Sequence, residues 1–582
     1  MILQALVSYY QDLRLQEKID AEGWTPQKIS YALELGEDGN LLQIIPYLIV
    51  SKDGKKQVPS SIPLPAAVKR TVGIAANFLW DNAMYMLEYS PENPEKAKKR
   101  FEACQELHLR LLDGIETPEA NAVRKFFETW EPALISSELF SPDVLKTFET
   151  GVNLTFFFKD RLVCKYPSMI QAWSRAYNAE GDAKKQRCLV TGEMTIPQLT
   201  HPSIKRVDGA QSSGAALVSF NNAAFESFGK TQNLNAPMGK YAAFAYTSAL
   251  NALLADTKHK KKIGDTTVVY WAEGGEEAYQ DAMDQFFSGA DEKMDEKMLD
   301  SLMEAMAKGK TVQFENIPLN PSNRFYILGL APNFARISVR FFRQNTFGEI
   351  VANFQKHYKD IYICSDGRSK FRDIPLWALL RETVPQNATD KTPPPQLAGE
   401  VLRAVLEGSR YPETLLNQVM IRIRAEHDIS RAKAAVIKGY LIRNTKNTLL
   451  KEAATVSLNE SAKSTPYILG RLFSVLENTQ ETANPGLNAT IKDRYFNSAC
   501  AMPSTVFPLL LKLSNSHLKK IEGGKKIFLS KQIGELTDAL TDTFPNTMSL
   551  QEQGAFILGY YHQTQKRFEK KKTEKTEESE NV

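Results

Sequence analysis

The segment 69–82 contains the residue types that bind nucleic acid. Lys69 and Arg70 could neutralise phosphates, and the amide of Asn77 could hydrogen-bond a base edge. Phe78 and Trp80 could stack on a base or press against a base step. The other interpretation is a basic surface turn that leads into a core strand with both aromatic rings buried. Residue types alone favour this second interpretation.

A second segment, residues 207–237, is dense in Ser, Asn, Gln and Gly, with Phe residues between them. Such side chains donate and accept hydrogen bonds at phosphates, sugars and bases. A long loop held by its own Asn and Ser hydrogen bonds explains the composition equally well. The residues of this segment that could contact nucleic acid are Gln211, Ser212, Ser213, Asn221, Asn222, Lys230 and Asn235.

Several basic residues outside these segments could follow a phosphate backbone. Arg336 and Arg340 alternate with Ile337 and Val339, so they would share one face of a strand. Further along, Arg422, Arg424, Lys519 and Lys520 could line a groove for a single strand. They belong to two longer basic stretches, which also include Arg431, Lys433, Lys438, Arg443, Lys512, Lys525 and Lys526. Cations spread in this way more often form a solvated face.

The sequence offers little support for catalysis. Seven histidines are scattered with no HExxH pair, and no phosphate-binding GxxxxGK[ST] loop or GxSxG elbow is present. Cys188 could be a nucleophile, but without a histidine nearby in the sequence a structural cysteine is favoured. The five cysteines form no CxxC pair, and no metal site is expected. We therefore expect no catalytic residue, no metal and no cofactor.

Periodicity predicts an α+β fold in which a mixed body precedes a helical bundle. Short apolar runs alternate with amphipathic helices over residues 1–385. Three consecutive prolines mark residues 386–396 as a linker, because proline cannot continue a helix. Helical periodicity then dominates residues 397–565, and a charged segment over residues 566–582 is predicted to be a flexible tail.

Composition adds limits to the class of protein. The 582 residues include 43% hydrophobic residues, which is ordinary for a globular protein with a core. The net charge of +4 is too small to indicate a nucleic-acid binder by itself. No apolar run approaches the roughly 20 residues that span a bilayer, so no membrane contact is expected. An odd, sparse set of cysteines suits the cytoplasm.

Longer strings of the sequence resemble one family. They include MILQAL at the start, KRTVGIAANFLWDN from residue 69, CLVTGE from residue 188 and GAQSSGAALVSFNNAAFESFGK from residue 209. TTVVYWAE, LGLAPNFARISVRFF and RIRAEHDISRAKAAVIKGYLIRN follow further along. Together they resemble the large subunit of the type I-C CRISPR surveillance complex (Cascade), from Met1 to about Arg567. Arg206 departs from the family pattern, where a small residue is expected.

The resemblance implies a subunit without catalytic activity. Such a subunit recognises the short protospacer-adjacent motif (PAM) on duplex DNA, commonly TTC. It helps to open the duplex, holds the displaced strand and supports recruitment of a helicase-nuclease. The implied partners are guide RNA, target double-stranded DNA and its displaced strand, together with the handle-binding, backbone and small subunits of the complex.

The resemblance also assigns roles to the candidate residues. PAM and DNA contacts are predicted for Lys69, Arg70, Thr71, Asn77 and Phe78, with Asn77 as the base reader. Contact with the duplex or with the handle of the guide RNA is predicted for the candidates of segment 207–237 and for Arg336 and Arg340. Contact with the displaced strand is predicted for Arg422, Arg424, Lys519 and Lys520. In such systems the small subunit arises by internal translation of the same gene. Its start is predicted at Met420 or, preferably, near Val456.

Two alternative functions remain open at this point. One is a nuclease or RNA-processing enzyme of the same defence system, which would require a cluster of carboxylates or histidines. The other is a purely structural assembly subunit that contacts only other subunits.

Overall fold

The computed structural model describes residues 1–51, 56–68, 73–136, 138–179, 184–288, 296–314, 317–365, 373–540 and 543–579. The chain divides into two units. The amino-terminal unit comprises Leu6–His201 and Phe220–Ala249, and the carboxy-terminal unit comprises Met1–Ala5, Pro202–Ser219 and Leu250–Val582. The segment 207–237 is therefore shared between the two units. The predictions for Lys69, Arg70 and Thr71 lie outside the described residues.

The first half of the chain alternates short strands with helices. In chain order these elements are α1 (Ile2–Leu15), β1 (Trp24–Ile29), β2 (Tyr31–Leu35), β3 (Leu41–Pro46), β4 (Leu48–Val50), β5 (Gln57–Pro65), β6 (Trp80–Asn82), α2 (Ala83–Met86), α3 (Pro94–Leu111), α4 (Pro118–Thr129), α5 (Pro142–Glu149), β7 (Asn153–Phe158), β8 (Arg161–Leu162), α6 (Pro167–Asn178), β9 (Gln186–Arg187), β10 (Met194–Thr195) and α7 (Lys240–Ala255).

The core of the amino-terminal unit lies on a mixed sheet. Its strands follow the order β3-β2-β7-β6, with β8 paired to β7. β2 and β7 are parallel, with Leu33 opposite Phe156, and both residues are buried. A second, antiparallel sheet has the order β1-β5-β4. Prolines at the first turns of α3 and α4 suit helix starts, because a proline there removes no helical hydrogen bond.

The carboxy-terminal unit begins its mixed part with a four-stranded sheet. The elements here are β11 (Lys260–Ile263), β12 (Thr266–Ala272), α8 (Glu277–Ser288), α9 (Glu296–Ala307), β13 (Val312–Phe314), β14 (Ile317–Leu319), β15 (Arg324–Asn333), β16 (Arg336–Thr346), α10 (Phe347–Ile361) and α11 (Leu376–Arg381). The strand order is β11-β12-β15-β16, and all pairs are antiparallel. β12 is buried along its whole length, as expected for the apolar run TTVVYWA in a central strand.

Helices make up the rest of the unit. They are α12 (Pro395–Leu406), α13 (Glu413–Glu426), α14 (Arg431–Asn444), α15 (Thr448–Glu452), α16 (Thr465–Ala483), α17 (Ile491–Ala501), α18 (Pro503–Leu518), α19 (Gly523–Asp538) and α20 (Leu550–Ser579). A mixed α/β region followed by a helical region confirms the predicted α+β class.

The predicted linker, the charged tail and the internal start can each be located in the structure. Residues 386–394 contain no helix or strand, and the last of the three prolines, Pro395, begins α12. α20 extends to Ser579, so its backbone is helical over most of the charged C-terminal segment. Met420 is buried within α13, whereas Val456 is half-exposed between α15 and α16. The predicted domain boundaries, the flexible tail and the internal start stay predictions.

Candidate nucleic-acid interface

Asn77 is buried in the amino-terminal unit, where it forms hydrogen bonds with residues on both sides of it in the chain. Its side chain is 3% exposed, and its Oδ1 accepts a hydrogen bond from the Val68 N–H at 2.9 Å. The Asn77 N–H donates to Oδ2 of Asp81 at 3.0 Å. A base contact by Asn77 would require the bond to Val68 to break. The assignment of Asn77 as base reader stays a prediction.

Phe78 lies in the core below this loop. Its ring stacks on Trp173 with 6.0 Å between centroids and packs against His108 at 5.2 Å. The next residue, Leu79, has a left-handed φ of +64°, and its N–H donates to Nε2 of His108 at 2.8 Å. The ring of Phe78 is therefore buried in a core, as the interpretation of this segment as a turn leading into a core strand predicts. Contact between Phe78 and DNA stays a prediction.

The first part of segment 207–237 forms an exposed turn in the carboxy-terminal unit. Gln211, Ser212 and Ser213 are all exposed. The Gly214 N–H donates to the Gln211 carbonyl at 2.9 Å, and the φ of Gly214 is +101°, a value that favours glycine. Just beyond the turn, Ala215 forms a backbone bridge to Ile204, with N–H···O distances of 2.9 and 2.8 Å.

This turn extends the edge of the four-stranded sheet next to the β15–β16 hairpin. The Ala216 N–H donates to the Ala335 carbonyl, and the Ile337 N–H donates to the Ala216 carbonyl, both at 3.0 Å. Gly209 approaches the same hairpin, since a Cβ at Gly209 would lie 3.2 Å from Pro332 Cγ. We call residues 205–216 and 332–336 together the hairpin end.

The hairpin end includes an aromatic residue that sequence reasoning missed. Phe334 is 91% exposed at the tip between β15 and β16, with a left-handed φ of +52°. Lys205 and Arg206 are exposed on the neighbouring segment, and Arg206 also has a left-handed φ, of +67°. The sequence PNFA, which places an aromatic residue in a turn between two apolar β-like runs, is the signal that could have identified Phe334. The hairpin end thus presents cations, an amide, hydroxyl groups and an aromatic ring together.

Arg336 and Arg340, two of the three arginines of β16, differ from the expected pattern. Leu330 pairs with Val339 and Gly329 pairs with Phe341, so Arg340 is the extra residue of a β-bulge. The simple alternation that would place Arg336 and Arg340 on one face is interrupted there. Arg340 forms an ion pair with Asp265 at 2.6 Å, whereas half-buried Arg336 lies in the hairpin end. Phosphate contact by these arginines stays a prediction.

The second part of the segment lies in the amino-terminal unit, and two of its asparagines stabilise turns. Asn222 Oδ1 accepts from the Ala224 N–H at 3.0 Å and caps a short 3-10 helix. Asn235 hydrogen-bonds the backbone of the preceding turn. Asn221 and Lys230 are exposed. The loop is thus held by its own asparagines, which was one of the two interpretations, and nucleic-acid contact by these residues stays a prediction.

The residues predicted to hold the displaced strand are dispersed in the helical bundle. Arg422 lies 3.9 Å from Glu426, and Arg424 donates to the side-chain oxygen of Gln553. Lys519 is exposed near the end of α18, and so is Lys520, whose Nζ donates to Asn484 Oδ1 at 3.0 Å. Three of the four cations, Arg424, Lys519 and Lys520, are therefore exposed on the bundle, and the role predicted for all four stays a prediction.

The basic residues of α14 are buried, which sequence reasoning did not foresee. Lys433 Nζ lies 2.7 Å from Glu426, and Arg443 Nε lies 2.7 Å from Asp360. Burial lowers the pKa of Lys438 to about 8, although its Nζ donates to the Asp360 carbonyl at 2.8 Å. Arg431 is buried as well. For these four residues both the groove and the solvated face are wrong, because their charges are paired or hydrogen-bonded inside the fold.

Cys188 lies in a tight turn. Its Sγ accepts hydrogen bonds from the N–H groups of Thr191 at 3.4 Å and Gly239 at 3.5 Å. Burial raises the pKa of this thiol, and these hydrogen bonds outweigh that effect and lower it. In the described part of the chain, no group of three His, Cys, Asp or Glu side chains is placed to hold a metal ion. Across the same residues, none of the helices combines the length and apolar character that crossing a bilayer requires.

The sequence matches a family of CRISPR-associated proteins, Cas_Csd1, over residues 6–568. This match covers nearly the whole chain, both units included. The protein belongs to the Cas_Csd1 family of CRISPR-associated proteins. A comparison with curated proteins finds no match.

Proposed function

We propose that this protein is the non-catalytic large subunit of a type I-C surveillance complex and that its hairpin end contacts the PAM duplex. Membership of a family of CRISPR-associated proteins supports a role in a CRISPR complex. The grouping of Phe334 with Gln211, Ser212, Ser213 and nearby cations is the observation that carries the DNA-binding role.

Each group at the hairpin end suits one part of duplex recognition. Lys205 and Arg206 would neutralise phosphates, a contribution that does not depend on base sequence. Gln211 could form a bidentate hydrogen bond with adenine in the major groove. Phe334 could press on a base step and favour opening of the duplex beside the PAM. Base pairing with the guide RNA would then read the remaining sequence.

The proposal includes the partners that such a subunit requires. They are the guide RNA, the target duplex and displaced strand, the handle-binding, backbone and small subunits, and the helicase-nuclease. The complex would act in the cytoplasm. Our candidates for contact with the displaced strand remain Arg422, Arg424, Lys519 and Lys520, and all of them except Arg422 are exposed on the bundle.

The salt dependence of duplex binding tests the role of the cations. The assembled complex carrying Lys205→Ala and Arg206→Ala should lose affinity for PAM-containing duplex DNA. The slope of log K against log salt should become less steep by about 2, because each lost phosphate contact removes about 0.9. The measurement is a titration at three or more salt concentrations.

A charge-matched control is available on α3. Lys98→Ala with Lys99→Ala removes two exposed cations from the amino-terminal unit and should leave the slope unchanged. Equal slopes for the wild type and the Lys205/Arg206 variant would remove the hairpin end from the interface.

A further inference from the structure

Phe228 is presented to solvent by a strained turn. It is 98% exposed, and its φ of +54° is left-handed, a conformation that a bulky residue rarely adopts. Gly229, the next residue, has a φ of +67°. The turn closes with the Lys230 N–H donating to the Ser227 carbonyl at 3.0 Å. An exposed ring in this conformation gains almost nothing from packing within its own chain.

The turn is held in shape by the residues that follow it. Asn235 Oδ1 accepts from the Ser227 N–H at 3.0 Å, and its Nδ2 donates to the carbonyls of Lys230 at 2.8 Å and Gln232 at 2.9 Å. The Gln232 N–H donates to Oε1 of Glu226 at 3.1 Å. These bonds fix the backbone on both sides of the ring. Strain that is maintained by its surroundings, at a residue without a packing role, points to a function.

We propose that Phe228 stacks on a nucleobase of the nucleic acid that this protein binds. The inference rests on the proposed function, because it names a base-stacking residue for that activity. A rigid aromatic ring loses little freedom on binding and can stack on any base, since every base has a π face. The base belongs either to the target DNA or to the guide RNA, and the test below separates these two sources.

The surroundings of the ring favour nucleic acid over an apolar pocket in a partner protein. Lys230 and the hydroxyl groups of Ser227 and Thr231 are exposed on the same turn. These groups bind phosphate and sugar oxygens next to a stacked base. The only carboxylate of the turn, Glu226, accepts a hydrogen bond from the backbone of Gln232. The turn therefore combines a free ring with a cation and hydroxyl donors.

The same feature occurs at the hairpin end. Among the non-glycine residues with left-handed φ in the described part of the chain, Phe228 and Phe334 are the two exposed aromatic ones. Phe334 follows Asn333 just as Phe228 follows Ser227, at the tip of a short backbone turn. An unfavourable backbone conformation thus coincides twice with an exposed aromatic ring.

The substitution Phe228→Gly tests the proposal without risk to folding. Glycine adopts a φ of +54° readily, so the melting temperature of the variant should equal or exceed that of the wild type. The assembled complex carrying the variant should bind a PAM-containing target about 5- to 150-fold more weakly, the range for one base–aromatic stack. Phe228→Trp should retain at least a tenth of the wild-type affinity. The matched control is Leu189→Ala, which shortens another exposed apolar side chain of the same unit and should bind as the wild type does.

The fluorescence of 2-aminopurine, placed in turn along the target DNA and along the guide RNA, identifies the base. One position should change fluorescence between the wild type and Phe228→Gly, and the strand that carries it is the source.

Unchanged affinity and unchanged fluorescence at every position for Phe228→Gly would overturn the proposal. So would a variant that binds target normally but assembles poorly with the other subunits, because Phe228 would then contact protein. A wild-type complex that fails to prefer a PAM-containing duplex, yet loses affinity with Phe228→Gly, would contradict the proposed function and leave the stacking role intact.

Discussion

His108 shows how a single buried side chain shapes the loop that contains Asn77 and Phe78. Its Nε2 accepts from the Leu79 N–H, so the ring proton is on Nδ1, which donates to the Cys104 carbonyl at 2.7 Å. Burial lowers the pKa of His108 to about 4, while the bond to the Cys104 carbonyl raises it in part. A proton on Nε2 would oppose the Leu79 N–H and release the left-handed turn. His108 must therefore stay neutral for this loop to keep its shape.

The neutral state of His108 predicts acid sensitivity. In the unfolded chain a histidine has a pKa near 6.5, so between about pH 6.5 and pH 4 the unfolded state binds a proton that the folded state does not. The stability contributed by His108 is full above pH 6.5 and falls as the pH falls to about 4, by about 3 kcal/mol. Urea unfolding of the wild type and of His108→Gln should show a difference in free energy that narrows by this amount on acidification. A difference that is constant from pH 7.5 to pH 4 would show that His108 does not titrate in this way.

At the scale of elements, α16 and α20 approach each other through glycines. A Cβ at Gly470 would lie 1.9 Å from the carbonyl oxygen of Phe556, and a Cβ at Gly559 would lie 2.1 Å from that of Tyr467. The two backbones therefore touch, and no side chain of either residue could be accommodated. The buried bond from Tyr560 Oη to Glu477 Oε2, 2.6 Å long, joins the same two helices.

This crossing predicts a sharp contrast between two Gly→Ala substitutions. Gly470→Ala should push α16 away from α20 and destabilise the bundle by about 3 kcal/mol or more, because backbone atoms cannot move aside as a flexible side chain can. Gly534→Ala, in α19, meets nothing within 4 Å and should stabilise by up to about 1 kcal/mol through helix propensity. Thermal unfolding of both variants measures the contrast. Equal melting temperatures would contradict the close approach of the helices.

Sequence periodicity predicts elements well where the pattern is local. The β-like run over 266–272 predicts a strand, and β12 has the same bounds. Helical periodicity over 240–256 predicts a helix, and α7 is one residue shorter. Pairing between distant residues is harder to predict. The short β-like run over 215–220 also predicts a strand, but the structure forms only single bridges there, from Ala215 to Ile204 and from Ala216 to Arg336. The partners of these bridges come from separate parts of the chain.

Only part of the candidate site can be predicted from the sequence, because the rest depends on contacts between distant residues. The composition of segment 207–237 indicated Gln211, Ser212 and Ser213, which are exposed. It could not indicate Phe334, which joins them through bridges that bring β16 beside Ala216. The bulge at Arg340 and the burial of Lys433 also depend on partners far along the chain. From the sequence alone, the cations of α14 are predicted to be solvated, because the acidic residues that pair with them lie elsewhere in the chain.

At the scale of the whole molecule, a modest net charge is consistent with the proposed role. Many of the cations in the described part of the chain are paired within the fold, as Arg340 is with Asp265 and Arg443 is with Asp360. The exposed cations of the hairpin end and of α18 would then supply local attraction to DNA without strong non-specific binding. A subunit that samples many sites before guide RNA pairing begins needs this balance.

PAM preference of the assembled complex tests the central claim most directly. With guide RNA bound and salt fixed, affinities are measured for duplexes that carry a TTC motif and for duplexes in which it is scrambled. The wild type should prefer the TTC duplex by about 1–3 kcal/mol for each base pair read. Gln211→Ala should reduce this preference, whereas Lys98→Ala with Lys99→Ala should keep it. Equal affinity of the wild type for both duplexes, or full preference in Gln211→Ala, would contradict PAM reading by the hairpin end.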